Sequence, residues 1–173
     1  MRTRLIAGNW KMFKTVGEAV RFVKELRPLV NDVDDVQIIV APAFTAIHAV
    51  AEAARGTNIG VAAQDVFWER DGAFTGEVST GMLQEAGADH VIIGHSERRR
   101  LFGDTDTAVN RKVLAAIAAG LTPIMCIGET LEERERGDTF AVLDRHVKEG
   151  LTGVTPEQVT SIVLAYEPVW AIG

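Results

Sequence analysis

The chain has 173 residues, 47% hydrophobic and 24% charged, with a formal charge of −6, a balance that belongs to core-forming globular domains and excludes the disordered and fibrous classes. The acidic balance argues against a nucleic-acid or anionic-membrane surface, since the one basic run free of interleaved acids is the short "RRR" behind Glu97. One cysteine, Cys126, cannot form an internal disulfide, and the amino-terminal apolar stretch is too short for a signal peptide or a membrane span; a cytoplasmic single domain over 1–173 is expected.

Six short, almost continuously apolar runs follow in chain order: "LIAG" from 5, "VQIIVA" from 36, "IGVAA" from 59, "VIIG" from 91, "PIMCIG" from 123 and "SIVLAY" from 161. Runs of this kind read as strands buried on both faces, as in parallel sheets. Helical patterns separate them. Thr15 and Glu18 have capping-box spacing and lead into a face of Ala19, Phe22, Val23 and Leu26. Ile47, Val50, Ala51 and Ala54 form the next face. "GDTDT" supplies N-caps for a stripe of Val109, Val113 and Ile117, which Gly120 can stop. Thr130 and Glu133 give a second capping box, followed by a predicted face of Phe140, Leu143 and Val147.

This alternation predicts a parallel α/β sheet with right-handed crossovers. Two architectures fit it. An open doubly wound sheet would be complete at this length, whereas a closed eightfold barrel takes roughly 250 residues. Periodicity does not choose between them.

Polar residues interrupt the chain where the apolar runs end. Asn9 and Lys11 follow the first run, Gln64 and Asp65 the third, His95 and Glu97 the fourth, Glu129 the fifth and Glu167 the sixth. In a parallel sheet all these ends share one edge, where such folds keep their active sites. Strand ends are also polar simply because they meet water, so each residue alone has a structural reading: Lys11 a solvated cation, Glu129 a helix-start carboxylate, His95 a cap for the segment after it. Together, Lys11, His95 and Glu167 make a chemically complete set. Enolisation of a carbonyl compound needs a base, an electrophile at the carbonyl oxygen and positive charge near the developing enediolate. No phosphate-loop lysine, dinucleotide fingerprint, nucleophile elbow or metal-spaced Cys/His pair is present. No cofactor and no metal are expected, and His48 and His146, which fall within predicted helices, are assigned no chemistry.

"GNWKM" at 8–12, "GAFTGEVS" at 72–79, "VIIGHSERR" at 91–99, "CIGE" at 126–129 and "AYEPVWAIG" at 165–173 carry a specific resemblance to the triosephosphate isomerase family, in the family's order and over the whole chain. The resemblance implies a TIM (β/α)8 barrel, here truncated to about six βα units and therefore open or completed in trans. It implies Glu167 as the base, His95 as the neutral electrophile, Lys11 as the positive charge, Asn9 as the source of a hydrogen bond and Glu97 as the acid beside the histidine. "PVWAIG" resembles the opening of the family's lid, with Gly173 the residue whose amide reaches the substrate phosphate. The implied partners are a small phosphorylated triose and a second subunit, in a homodimer formed through the loop around Thr75. The isolated 173-residue chain is expected to have little or no activity, because the loops that hold phosphate in such barrels follow strands seven and eight. A non-catalytic fragment acting as a folding or assembly module, and a doubly wound phosphate-binding protein, are the competing expectations.

Overall fold

The computed structural model describes residues 3–172; the expected phosphate contact of Gly173 lies outside the described residues. In chain order the elements are β1 (Arg4–Asn9), α1 (Val16–Val30), β2 (Val36–Ala41), α2 (Ile47–Ala54), β3 (Ile59–Ala63), α3 (Thr80–Glu85), β4 (His90–Ile93), α4 (Ser96–Phe102), α5 (Asp106–Ala118), β5 (Thr122–Ile127), α6 (Leu131–Glu135), α7 (Thr139–Gly150), α8 (Pro156–Val159) and β6 (Val163–Tyr166). One-turn 3₁₀ segments lie at Phe44–Ala46 and Val169–Ala171.

All six strands are parallel, and each pairs with the next in sequence, β1 to β6. A doubly wound sheet would reverse its order at a switch point. There is no reversal, so the sheet is the barrel type, built here from six units.

The strands alternate their side chains between two apolar layers. Ile39, Ala41, Ala62, Ile92, Ile124 and Cys126 form one buried cluster on the face away from the helices. Val40, Val61, Ala63, Val91, Ile93 and Met125 join the helices' Ala19, Val23, Ile47, Val50, Val109 and Val113 in the other. Both faces are covered along most of β2 to β5, which read as unbroken apolar runs, whereas β1 and β6 at the sheet's two edges leave Ile6, Leu164 and Tyr166 exposed. Each Ile, Leu or Val buried in this way contributes about 1.5–3 kcal/mol.

Helix ends follow the sequence signals closely. The Glu18 carboxylate accepts from the backbone N–H and hydroxyl of Thr15 at 2.7 and 2.8 Å, and Thr130 exchanges hydrogen bonds with Glu133. Thr105 caps α5, and Gly120 ends it at φ +79°. A third capping box, Thr155 with Gln158, starts α8. The expected face of α7 needs correction: Phe140 is 85% exposed, and the buried face is Val142, His146 and Gly150, with Leu143 and Val147 at its margin. These buried positions repeat at i, i+4 and i+8 on the side that meets α5. Phe140 sits in the first turn and lies off that stripe.

Candidate active site

The chain leaving β1 makes the first turn of the site. Asn9 Oδ1 accepts the backbone N–H of Lys11 at 2.9 Å, and Lys11 takes a left-handed backbone conformation, φ 49°, that non-glycine residues seldom adopt. Gln64, just beyond β3, donates its side-chain amide to the Lys11 carbonyl at 2.8 Å and to the Ala41 carbonyl at 2.9 Å. These bonds hold the strained turn against relaxation. The Lys11 ammonium then reaches Glu97 Oε1 at 2.8 Å.

The second part is the junction of β4 and α4. His95 is the N-cap of α4, and its ring Nδ1 accepts the backbone N–H of Glu97 at 3.2 Å. A backbone N–H can only donate, so Nδ1 carries no proton in this arrangement and the neutral ring holds its hydrogen on Nε2. Nε2 lies 2.8 Å from Glu167 Oε1, which makes it the donor of that contact. The histidine is both the helix cap and the donor, so its structural and chemical readings hold together.

Glu167 follows β6. Its backbone N–H donates to the Ile127 carbonyl at 2.7 Å, and a Cβ placed on Gly128 would stand 1.8 Å from the Glu167 carbonyl oxygen. Only glycine lets the two chain exits lie this close. Besides the His95 contact, the carboxylate accepts the Ser96 backbone N–H at Oε2 and the Ser96 hydroxyl at Oε1, both at 3.0 Å. Burial pushes its pKa up, but the hydrogen bonds from His95 and Ser96 outweigh that and hold it below the ordinary glutamate value. Glu167 is therefore ionised at neutral pH. A cavity of about 340 Å³ lined by Ser96, Gly128, Glu167 and Val169 leaves the carboxylate room to move.

Asn9, Lys11, Glu97, His95 and Glu167 thus form one continuous chain of contacts at the carboxyl ends of β1, β4 and β6. Sequence reasoning passed over Ser96, which satisfies both oxygens of the glutamate, and gave Gln64 no role. Ser96 reads as an ordinary helix-start serine, and only the strand order brings Glu167 above it. A larger cavity at the opposite strand ends, lined by Thr3, Gln37, His90 and Thr122, contains none of the nominated residues.

Glu129 is not a bare helix-start carboxylate. Its fully buried side chain accepts from Tyr166 Oη at 3.1 Å, from Trp170 Nε1 at 3.0 Å and from Arg134 Nη1 at 3.3 Å. Burial raises its pKa, whereas the donors, Trp170 foremost, bring it below the ordinary value. Its carbonyl accepts the Val169 N–H at 3.0 Å, and Arg134 stacks on the Trp170 ring at 4.3 Å. The segment after Glu167 is tied to α6 by these contacts.

Among the described residues no group of three or more His, Cys, Asp or Glu side chains is arranged to hold a metal ion, and no helix is long and apolar enough to cross a membrane. Cys126 is buried on the interior face, where burial and the Glu167 charge push its thiol up to about 12 and keep it protonated.

The model of one protein family, triosephosphate isomerase, matches residues 4–173. The chain is 61% identical to a triosephosphate isomerase of Citrifermentans bemidjiense and 60% identical to that of Trichlorobacter lovleyi, in each case over 100% of this chain and 69% of the relative. The crystal structure of triosephosphate isomerase from Bartonella henselae superposes with a TM-score of 0.90 at 38% identity, covering 98% of this chain and 70% of that one. A sheet in sequential order, a site gathered at its carboxyl edge and likeness along the whole length agree: the chain belongs to the triosephosphate isomerase family.

Proposed function

We propose that this protein interconverts dihydroxyacetone phosphate and D-glyceraldehyde 3-phosphate by proton transfer through an enediolate. The observation that carries the reading is the 2.8 Å contact between Glu167 and a His95 ring whose other nitrogen is occupied as an acceptor. In this reaction the Glu167 carboxylate removes a proton from the substrate carbon next to the carbonyl. His95 Nε2–H donates to the carbonyl oxygen as negative charge grows there, the hydroxyl hydrogen of the neighbouring carbon passes between the two oxygens, and Glu167 returns the carbon-bound proton to that neighbouring carbon. Lys11 stands one contact from the same ring, through Glu97; its ammonium offsets the enediolate and phosphate charge, and the Asn9 side-chain amide hydrogen-bonds the substrate. Glu97 holds Lys11 and supports His95. A base of this kind contributes about 10²–10⁴-fold and a pre-aimed donor about 10²–10³-fold.

Base and donor satisfy each other across their 2.8 Å contact. The substrate carbonyl must take the His95 hydrogen for itself, and Glu167 must leave Ser96 to reach the carbon. The segment from Pro168 onward opens the lid that excludes water from the enediolate, with Gly173 contributing its amide to the phosphate.

The reading extends to a cytoplasmic homodimer in which the loop around Thr75 docks into a neighbouring subunit. Its supports are an exposed Thr75, a loop stiffened by stacking of Phe67 on Trp68 and Phe74, and exposed Met12, Phe13 and Phe102. The segment 1–173 by itself is expected to turn over little or not at all, since phosphate in such barrels is held after strands seven and eight.

A coupled isomerisation assay on a chain extended to full length tests the reading. His95→Gln is expected to lower kcat by about 10²-fold or more with the protein still folded; an unchanged kcat removes His95 from the chemistry. Near-complete rates from segment 1–173 refute the expectation for the segment.

A further inference from the structure

Gly94 and His95 form the corner where β4 turns into α4. Gly94 has φ +72°, and a Cβ there would lie 2.9 Å from Val109 and 3.1 Å from Arg99 Nη2. The corner is therefore packed as well as bent. One residue grips it on both sides. The Arg99 side chain donates Nε–H to the Gly94 carbonyl at 2.9 Å, and the Arg99 backbone N–H donates to the His95 carbonyl at 3.1 Å. Those carbonyls belong to the two peptide planes that flank the His95 Cα. With both planes held, the His95 backbone dihedrals are fixed, and with them the direction in which the imidazole leaves the chain.

The guanidinium is itself anchored. Arg99 Nη1 lies 2.5 Å from Asp106 Oδ1, in the first turn of α5, and both side chains are mostly buried. Arg145 from α7 approaches the other oxygen of Asp106 at 3.4 Å. The planar fork of arginine can serve the Gly94 carbonyl and the Asp106 carboxylate at once, which a lysine ammonium on a flexible stem cannot do with the same geometry.

We propose that Arg99 is a positioning residue for His95, setting the imidazole so that Nδ1 meets the Glu97 N–H while Nε2 faces Glu167. The bearing of Arg99 on catalysis rests on the proposed reaction, in which His95 is the electrophile. Its effect on ring geometry does not, and the two are measured separately.

The experiment uses the full chain labelled with ¹⁵N-histidine, with the His95 signals assigned by their loss in His95→Gln. In the unaltered protein the two ring nitrogens should be widely separated in shift, as one protonated and one acceptor nitrogen. Arg99→Lys should bring them together through tautomer exchange and displace the Glu97 amide signal. Arg145→Gln, which touches Asp106 but not Gly94, should leave both unchanged. Where turnover is measured, Arg99→Lys should lower kcat by about 10- to 100-fold with KM within about twofold, the scale expected of a catalytic group misplaced by up to 1 Å. His95 ring signals in a folded Arg99→Lys protein that match the unaltered protein overturn the proposal, as does an equal change in Arg145→Gln. If Arg99→Lys does not fold, Asp106→Asn, which releases the guanidinium and leaves Arg99 in place, is judged by the same two results. Altered ring signals with unchanged kcat leave Arg99 as the positioner and reject the electrophile role of His95.

Discussion

Lys112 is a lysine inside the protein. Its side chain is 3% exposed, and its ammonium lies 2.8 Å from Asp65 Oδ1 and 2.7 Å from Asp104 Oδ2. Asp65 and Asp104 are 5% and 9% exposed, and Arg98 Nε lies 2.9 Å from Asp65 Oδ2. Two cations and two carboxylates thus balance in a nearly dry cluster joining the end of β3 to α4 and α5. Replacing Lys112 by methionine keeps the stem and removes the charge, leaving two carboxylates on one arginine. Removing one partner of a buried pair costs about 3–5 kcal/mol. Arg98 remains beside Asp65, so about 4 kcal/mol is expected at neutral pH, against a typical total of about 5–15 kcal/mol. For a chain of this size that loss lowers Tm by about 8–16 °C.

The pH dependence has a definite sign. Burial already raises the Asp65 carboxyl above its ordinary value, opposed by Lys112 and Arg98; without Lys112 it rises further. A carboxyl raised in the folded state costs nothing below its unfolded value, about 4; the cost grows as pH climbs from there toward the folded value and is complete above it. The deficit of Lys112→Met should therefore shrink between pH 7.5 and pH 5 in urea unfolding. A loss under about 1 kcal/mol, or a deficit that widens in acid, refutes the reasoning.

Ser96→Ala removes one of three donors to Glu167 and should raise the glutamate pKa toward its ordinary value, read by ¹³C NMR titration of the carboxyl. Because the folded Glu167 pKa is depressed, its stabilisation is present above the unfolded value and lost as pH falls through the folded one; the variant should be about 1 kcal/mol less stable at neutral pH and level with the parent in acid. An unmoved or lowered pKa contradicts this. Lys11→Gly relieves the φ 49° backbone while deleting the ammonium. Urea stability should stay within about 1 kcal/mol of the parent, with calorimetric binding of dihydroxyacetone phosphate lost; retained binding places the anion elsewhere.

The strands were legible because parallel strands buried on both faces leave unbroken apolar runs; Val36–Ala41 and Ile59–Ala63 match the predicted segments end to end. Strand order was not legible in the periodicity, since either sheet type would produce the same alternation; the motif resemblance supplied the barrel. The α7 face was misplaced at Phe140 because periodicity gives the repeat and not which side has a neighbour. Asn9, Lys11, Glu97, His95 and Glu167 stood out as polar residues at strand ends, a position that survives without coordinates. Ser96, Arg99 and Lys112 did not. Each acts through a partner distant in sequence or through the backbone: Ser96 reaches Glu167, 71 residues on, Arg99 reaches carbonyls, and Lys112, set between apolar turns of α5, reads as a solvated charge until Asp65 and Asp104 are found against it.

The proposed reaction turns on Glu167 moving a proton on the substrate carbon. Glu167→Gln keeps the shape and a contact to Ser96 while removing the base. Incubation of a chain extended to full length with dihydroxyacetone phosphate in heavy water should incorporate deuterium at the reacting carbon, and the variant should slow that exchange by about 10²–10⁴-fold. Exchange at an unchanged rate in the folded variant contradicts the account.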